Sequence, residues 1–371
     1  MSTSVANEVL VRRQGRAGCI TMNRPQALNA LTQAMLGPIW HALLDWQDDS
    51  SIELVVLDGS GERALCAGGD VRALYHSRSQ GSGAAQAFWR DEYRINALIG
   101  RYAKPYVAIQ DGIVMGGGIG LSGHARHRVV TERSRLAMPE TGIGLIPDVG
   151  GTWLLARAPG EVGLYLGLTG AEMDAADALH ARFSDTFVPA HRLGELRARL
   201  IDPKGGPVAD VLEAFAQSAG RSRLAERSAE IDRMFASGSV EAIVAALERS
   251  QLEWSAHTRA ALAQKSPKAL KLTYAAIRQA RSLPCLEAAL DVEFRLAVRL
   301  FEDGEFPEGV RALIVDKDRK PAWSPPGLAD VSDALVQRYL APLPGAEELG
   351  LWVSAGRGGD GPLPAAAARR L

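Results

Sequence analysis

The spacing of apolar and polar positions changes character along the chain. Val9 to Arg12 and Cys19 to Met22 are short runs that flank Gln14-Gly15-Arg16-Ala17-Gly18, a pattern that predicts a β-hairpin. From Thr32 to Trp46 the apolar residues fall at 35, 36, 39, 40, 43, 44 and 46, the spacing of one helical face, with Thr32 placed to cap it. Pro38 predicts a bend or a later start there, because proline lacks the N–H and its ring crowds the preceding turn. Leu54 to Leu57, Tyr106 to Ile109 and Arg128 to Thr131 read as short strands separated by turn glycines or helical stretches. Strand and helix patterns alternate in this way up to about Pro189.

Beyond that point the period settles to the helical one. Arg192 to Leu300 is dominated by Ala, Leu, Glu and Arg and has almost no β-branched runs, so this half is expected to be largely helical. The segment after Ala322, rich in Pro and Gly, predicts a docked arm followed by a loose tail. The expected division is therefore a core over residues 1–190 that carries the site, a helical region over 191–340 and a flexible tail over 341–371.

Composition narrows the function classes. The 371 residues suggest roughly two domains or one large one, and 42 Lys+Arg against 43 Asp+Glu leave a net charge of −1. Such balance gives no basic footprint for a nucleic-acid partner, since binding to phosphates draws on clustered cations. Cys19, Cys66 and Cys285 are few and far apart, which suggests neither a disulfide framework nor a zinc knuckle. No stretch approaches the roughly 18 apolar residues of a membrane span, and Met1 to Glu8 lacks a charged lead followed by an apolar run. Arg369-Arg370-Leu371 departs from the Ser-Lys-Leu peroxisomal address. A cytoplasmic protein without a membrane partner is expected.

The densest candidate chemistry is Met115-Gly116-Gly117-Gly118-Ile119-Gly120-Leu121-Ser122-Gly123. Gly118, Gly120 and Gly123 satisfy G-x-G-x-x-G, but the acid that a dinucleotide ribose needs about 20 residues on is misplaced, because Glu132 lies only 132 − 118 = 14 residues along. Clustered glycines also serve close packing and positive φ. A third reading is that bare backbone N–H groups at a helix start hold an oxyanion. That reading needs a second donor and an acid, and two segments offer them. Leu65-Cys66-Ala67-Gly68-Gly69-Asp70-Val71 is again strand, small-residue turn and helix start; Met138 to Gly151 places Glu140 and Asp148 in an apolar loop. A carboxyl among Met138, Ile143, Leu145 and Ile146 has its pKa raised if buried, although capping or a turn is the plainer use of each acid. His124 and His127 form H-x-x-H with no third ligand, so no metal is expected, and Ser122 misses G-x-S-x-G by one position. Trp89, Trp153 and Trp254 are expected as core or pocket walls.

These segments, with Ile20-Thr21-Met22-Asn23-Arg24-Pro25, resemble the crotonase, or enoyl-CoA hydratase/isomerase, superfamily over roughly residues 5 to 330. Phe88 to Tyr93, Met138 to Gly151 and Phe306 to Asp318 are most similar to its branch that hydrolyses short β-hydroxyacyl-CoA thioesters in valine breakdown. The resemblance implies an α/β fold, a crotonase-like spiral of ββα turns with two roughly perpendicular sheets and a helical C-terminal region that closes the site. It implies Gly69 and Gly117 as oxyanion donors and Glu140 as nucleophile or base. Asp148 and Glu92 would contact the substrate hydroxyl, with Asp148 alternatively handling a proton. CoA would lie along Ala67, Gly68, Gly69 and Asp70 and the segment near Arg24 to Leu28, entering as part of the acyl-CoA substrate, with no separate cofactor. Trimers or paired trimers are common in the superfamily, so a homo-oligomer is a further expectation.

Hydratases of this superfamily use two glutamates. The place of the first is Gly120 here, the second corresponds to Glu140, and the hydrolase pattern adds Asp148 where hydratases usually carry glycine. That exchange of acids favours thioester hydrolysis over hydration of an alkene. The alternatives are an enoyl-CoA hydratase or isomerase with rearranged acids, a non-catalytic CoA-binding protein, and a nicotinamide-dependent oxidoreductase using Gly118 to Gly123.

Overall fold

The computed structural model describes residues 8–344, 347–353 and 361–362. The expectations for Met1 to Asn7, for Arg369-Arg370-Leu371 and for most of the tail concern residues outside these. The chain opens with the hairpin β1 (Val9–Gln14) and β2 (Ala17–Met22), antiparallel and closed by a two-residue turn in which Gly15 takes φ +54°. Both strands run further into the turn than their apolar positions indicate, because ladder pairing continues through Arg12–Cys19 and Gln14–Ala17 whatever the polarity of the side chains. Helix α1 (Gln33–Asp48) starts directly after Thr32 and continues through Pro38, so the proline does not delay it. The buried face Met35, Leu36, Ile39, Leu43 and Trp46 holds it against the core, and that burial outweighs one missing hydrogen bond.

Three successive turns of the chain then each give one strand to a large sheet and one to a small sheet. They are β3 (Leu54–Gly59) with β4 (Ala64–Cys66), β5 (Tyr106–Gln110) with β6 (Ile113–Met115), and β7 (His127–Val130) with β8 (Arg135–Ala137). Helices α2 (Val71–Ser77) and α3 (Gly83–Gly100) follow the first turn, and α4 (Gly117–Ser122) follows the second. A last strand, β9 (Thr186–Phe187), completes the large sheet in the order β1-β2-β3-β5-β7-β9; the small sheet is β4-β6-β8, all parallel. This is the crotonase-like spiral of ββα turns. The three short strands of the small sheet include β6 and β8, each only three residues long and too brief for a pattern to mark.

Both faces of the large sheet are covered, which explains the unbroken apolar runs Leu54 to Leu57 and Tyr106 to Ile109 in its inner strands. Val55 and Leu57 face the main core, whereas Leu54, Val56, Val107, Ile109 and Val129 face a second cluster. That second cluster is closed by Leu193, Leu196 and Leu200 of one helix and Val211, Leu212 and Phe215 of the next. The first helices of the C-terminal half therefore back the sheet. Those nearer the end, Leu286–Glu302 and Glu305–Val310, pack beside α3. Leu351 and Trp352, within the expected tail 341–371, are held on them: Asp291 accepts hydrogen bonds from both N–H groups at 2.9 Å.

Candidate active site

The three strands of the small sheet end at one place, and the segment that follows each enters a common cavity of about 210 Å³. After β4 comes the turn Ala67-Gly68-Gly69, after β6 the turn Met115-Gly116-Gly117, and after β8 the loop that carries Glu140 and Asp148. Glu92 reaches the same cavity from α3.

The two glycine turns expose their amides for definable reasons. Gly68 takes φ +110°. A parallel bridge between Leu31 and Gly69 is made by Leu31 N–H to Gly68 O and Asp70 N–H to Leu31 O, both 2.8 Å. Such a bridge uses the groups on either side of Gly69 and turns its own N–H the other way. The Gly69 nitrogen lies close to Gly117, where an added Cβ would be 3.4 Å from it. Gly117 is the first residue of α4, where an N–H has no partner within the helix. Gly116, at φ +46°, makes the turn that precedes it. The loop 24–31 buttresses this arrangement: Asn29 donates to Ala64 O at 2.7 Å and accepts from Arg24 N–H at 2.8 Å, and Ala67 N–H donates to Leu28 O at 3.0 Å.

Three carboxyls face these amides. Glu92, Glu140 and Asp148 are buried, at 2, 5 and 5% exposure. Glu92 Oε1 and Glu140 Oε2 receive no hydrogen bond from any described residue. Each is tight against a glycine: a Cβ at Gly117 would lie 2.5 Å from Glu92 Oε1, and one at Gly116 would lie 3.0 Å from Glu140 Oε1. Burial and the charge of Asp148 push the pKa of Glu140 well above the usual carboxylate range, opposed by its own N–H and by Lys265. Glu92 is raised for the same two reasons. Asp148 is raised by burial to about 6, held down by the Tyr93 hydroxyl, which donates to Oδ2 at 2.6 Å, and by its own N–H. Three close carboxyls titrate as a cluster.

Apolar side chains from distant elements close the cavity. Phe88, Trp89, Leu74 and Leu145 wall it, with Phe306 and Ile314 from the C-terminal half. Trp89 meets Phe301 and Phe306 edge to face, both at 5.9 Å between ring centres. The approach of the Glu305–Val310 helix to the Glu140 loop depends on two glycines. A Cβ at Gly144 would lie 2.4 Å from Glu305 O, and one at Gly309 would lie 2.3 Å from the Ile143 backbone. Arg72 donates to Ile314 O at 2.6 Å and ties α2 to this cover.

Of the residues singled out in the sequence, Ala67, Gly68, Gly69, Glu92, Gly117, Glu140 and Asp148 line the cavity. Leu28 and Asp70 do not line it; they support it, Leu28 through its carbonyl and Asp70 as the cap of α2, accepting from Ala73 N–H at 3.2 Å and pairing with Arg24 at 3.3 Å. Gly120 is packed, because a Cβ there would lie 2.8 Å from both Asn96 Nδ2 and Val149 Cβ. His124 is drawn inward, its Nε2–H donating to Val149 O at 2.8 Å, and burial lowers its pKa to about 4, so the ring is neutral at pH 7. Ser122 is consumed by Gly118 O and Gln110. No cluster of metal-ligating side chains occurs among the described residues.

Sequence reasoning missed Tyr93, Lys265 and Glu293. Glu293 left a signal. It stands on the same helical face as Leu286, Leu290 and Ala297, where a carboxylate is out of place unless it has buried donors to satisfy.

A family model described as enoyl-CoA hydratase/isomerase matches residues 17–340. The mitochondrial 3-hydroxyisobutyryl-CoA hydrolase of Danio rerio is 41% identical over 351 residues, 92% of either chain. Among solved structures, a carnitinyl-CoA dehydratase from Mycobacterium thermoresistibile superposes with a TM-score of 0.88 at 44% identity, covering 92% of this chain and 98% of its own. An enoyl-CoA hydratase from Rhodobacter sphaeroides gives 0.86 at 45% identity, covering 92% and 99%. With a family model spanning residues 17–340 and a relative 41% identical over 92% of either chain, the chain belongs to the enoyl-CoA hydratase/isomerase family.

Proposed function

We propose that the protein hydrolyses 3-hydroxyisobutyryl-CoA to 3-hydroxyisobutyrate and CoA, the reaction for which its zebrafish relative is named. The observation that carries this reading is the unpaired, buried Oε2 of Glu140 in the same small cavity as the Gly69 and Gly117 turns. The thioester oxygen would take the two N–H groups, each worth roughly 3 to 4 kcal/mol toward the tetrahedral intermediate. Glu140 would attack the carbonyl carbon, the C–S bond would break, and CoA would leave as the thiol once protonated. Water then cleaves the mixed anhydride and restores the carboxylate. Glu92 and Asp148 would hold the substrate hydroxyl, with Tyr93 fixing Asp148. The thioester supplies CoA, and no other cofactor enters the scheme.

Hydration of an enoyl thioester, the reaction for which the Rhodobacter sphaeroides neighbour is named, is disfavoured by Gly120. No carboxylate can stand there without displacing Asn96 and Val149. A thiol-reagent assay of CoA release from 3-hydroxyisobutyryl, 3-hydroxypropionyl and crotonyl thioesters tests the reading. Thiol release from the hydroxyacyl thioesters and none from crotonyl-CoA is expected; loss of enoyl absorbance from crotonyl-CoA without thiol would overturn it. After many turnovers in oxygen-18 water, label in the Glu140 carboxylate would mark the anhydride route, since base activation leaves those oxygens unexchanged.

The raised pKa values predict the pH profile. Glu140 must be ionised to attack, and its cluster holds protons to a higher pH than free carboxyls do, so kcat/KM should fall as pH decreases through a limb lying above 4.5. A limb at the ordinary glutamate position would contradict the buried cluster.

No described helix is long and apolar enough to cross a membrane. The zebrafish relative's name places that protein in mitochondria. A mitochondrial location for this chain stands beside the cytoplasmic expectation, and fractionation of the host cell decides between them.

A further inference from the structure

We propose that Glu293 is a positioning residue for the hydrolysis, clamping the turn 148–152 so that the Asp148 carboxyl faces the cavity and keeps its hydrogen bond with Tyr93. This rests on the reading of the site given above and deepens it. Glu293 lies on the helix Leu286–Glu302, is 0% exposed, and does not line the cavity. Its two oxygens are spent on one turn of the chain. Oε2 accepts from Gly150 N–H at 2.6 Å, while Oε1 accepts from Thr152 N–H at 2.9 Å and from the Thr152 hydroxyl.

The turn it holds is one that the local sequence would not hold alone. Val149 has φ +55° and Gly150 φ +78°, two successive left-handed residues of which the first is β-branched. Such a conformation is strained and persists only where its surroundings impose it. Two groups impose it here: the Glu293 carboxylate on one side, and the His124 ring, donating to Val149 O at 2.8 Å, on the other. No side chain could replace hydrogen at 150, since a Cβ would lie 2.4 Å from His124 Nε2. Asp148 begins this turn, and Gly151 N–H donates back to Asp148 O at 2.6 Å. A released turn is thus free to rotate Asp148 away from Tyr93 OH.

The test uses Glu293→Gln, which keeps the shape but sets an amide NH₂ against one of the donors, and Thr152→Val, which removes only the hydroxyl donor. Each variant is measured for kcat and KM on 3-hydroxyisobutyryl-CoA. Tyr93 is observed by ¹³Cζ-tyrosine NMR, its resonance assigned through Tyr93→Phe. Glu293→Gln should lower kcat at least about tenfold with KM within about twofold, and should shift the Tyr93 resonance; Thr152→Val should do the same to a smaller degree. A purely structural role would lower the melting temperature and leave both the kcat of the folded fraction and the Tyr93 resonance at wild-type values, which would overturn the proposal. If Glu293→Gln fails to fold, Thr152→Val alone decides by the same two readouts. If the wild-type chain releases no CoA from any thioester, the functional reading fails, while the Tyr93 resonance still decides whether Glu293 sets Asp148.

Discussion

Replacing Glu140 by glutamine is expected to lower kcat on 3-hydroxyisobutyryl-CoA by roughly 10³- to 10⁶-fold, the range seen when a nucleophile or its essential partner is removed. Little change in KM should accompany this, because the glutamine keeps the volume of the side chain and leaves the Ala67 to Gly69 turn intact. Stability should move the other way. The folded state raises the pKa of Glu140, so it binds the proton more tightly than the unfolded chain does. Stability is therefore lost as pH rises from the unfolded pKa toward the folded one. Glutamine carries no such charge, so the variant should melt at a higher temperature than the wild type at neutral pH. That difference should shrink as pH falls below about 4.5, where glutamate is protonated in both states. Calorimetric melts at two pH values read the sign directly. A variant less stable at neutral pH would mean that the ionised carboxylate is compensated in the fold.

The second large effect is expected at Gly117. A methyl group there would project to 3.4 Å from the Gly69 nitrogen and 2.5 Å from Glu92 Oε1, into the space a thioester oxygen needs between the two amides. Gly117→Ala should therefore lower kcat/KM by roughly 10²- to 10³-fold, as much as the loss of one oxyanion donor, because the methyl keeps the oxygen off the amides although both N–H groups remain. The fold should tolerate it. Gly117 is the first residue of α4, where alanine is acceptable, and the nearest obstacle is the end of the Glu92 side chain, which can turn aside. Equal activity of the alanine variant, measured by thiol release at saturating and limiting substrate, would remove Gly117 from the oxyanion site.

Much of this site was legible because its parts are short and chemically loud. The runs 66–70 and 115–123 show their glycines openly, and Glu140 and Asp148 stand out in an apolar loop. What the sequence left hidden depends on distance along the chain. Tyr93 reaches Asp148 across 55 residues, and Glu293 reaches Gly150 across 143, pairings that no local period encodes. Two of the three strands of the small sheet escaped notice for another reason. Ile113–Met115 and Arg135–Ala137 are three residues each, and their pairing is imposed by the longer strands of the large sheet that precede them in each turn. Pro38 shows the opposite case: the later start that a local rule allows is overridden by a buried helical face.

Gly120 is filled around by Asn96 and Val149, and Val149 owes its position to the same turn that presents Asp148. A side chain at 120 and the turn that presents Asp148 thus compete for the same space.

The most direct measurement is a crystal structure of the Glu140→Gln variant with 3-hydroxyisobutyryl-CoA bound. The account predicts the thioester oxygen within hydrogen-bonding distance of both the Gly69 and Gly117 N–H groups, with the carbonyl carbon beside the side chain at 140. A bound thioester whose oxygen points away from either amide, or whose carbonyl carbon lies out of reach of position 140, would contradict it.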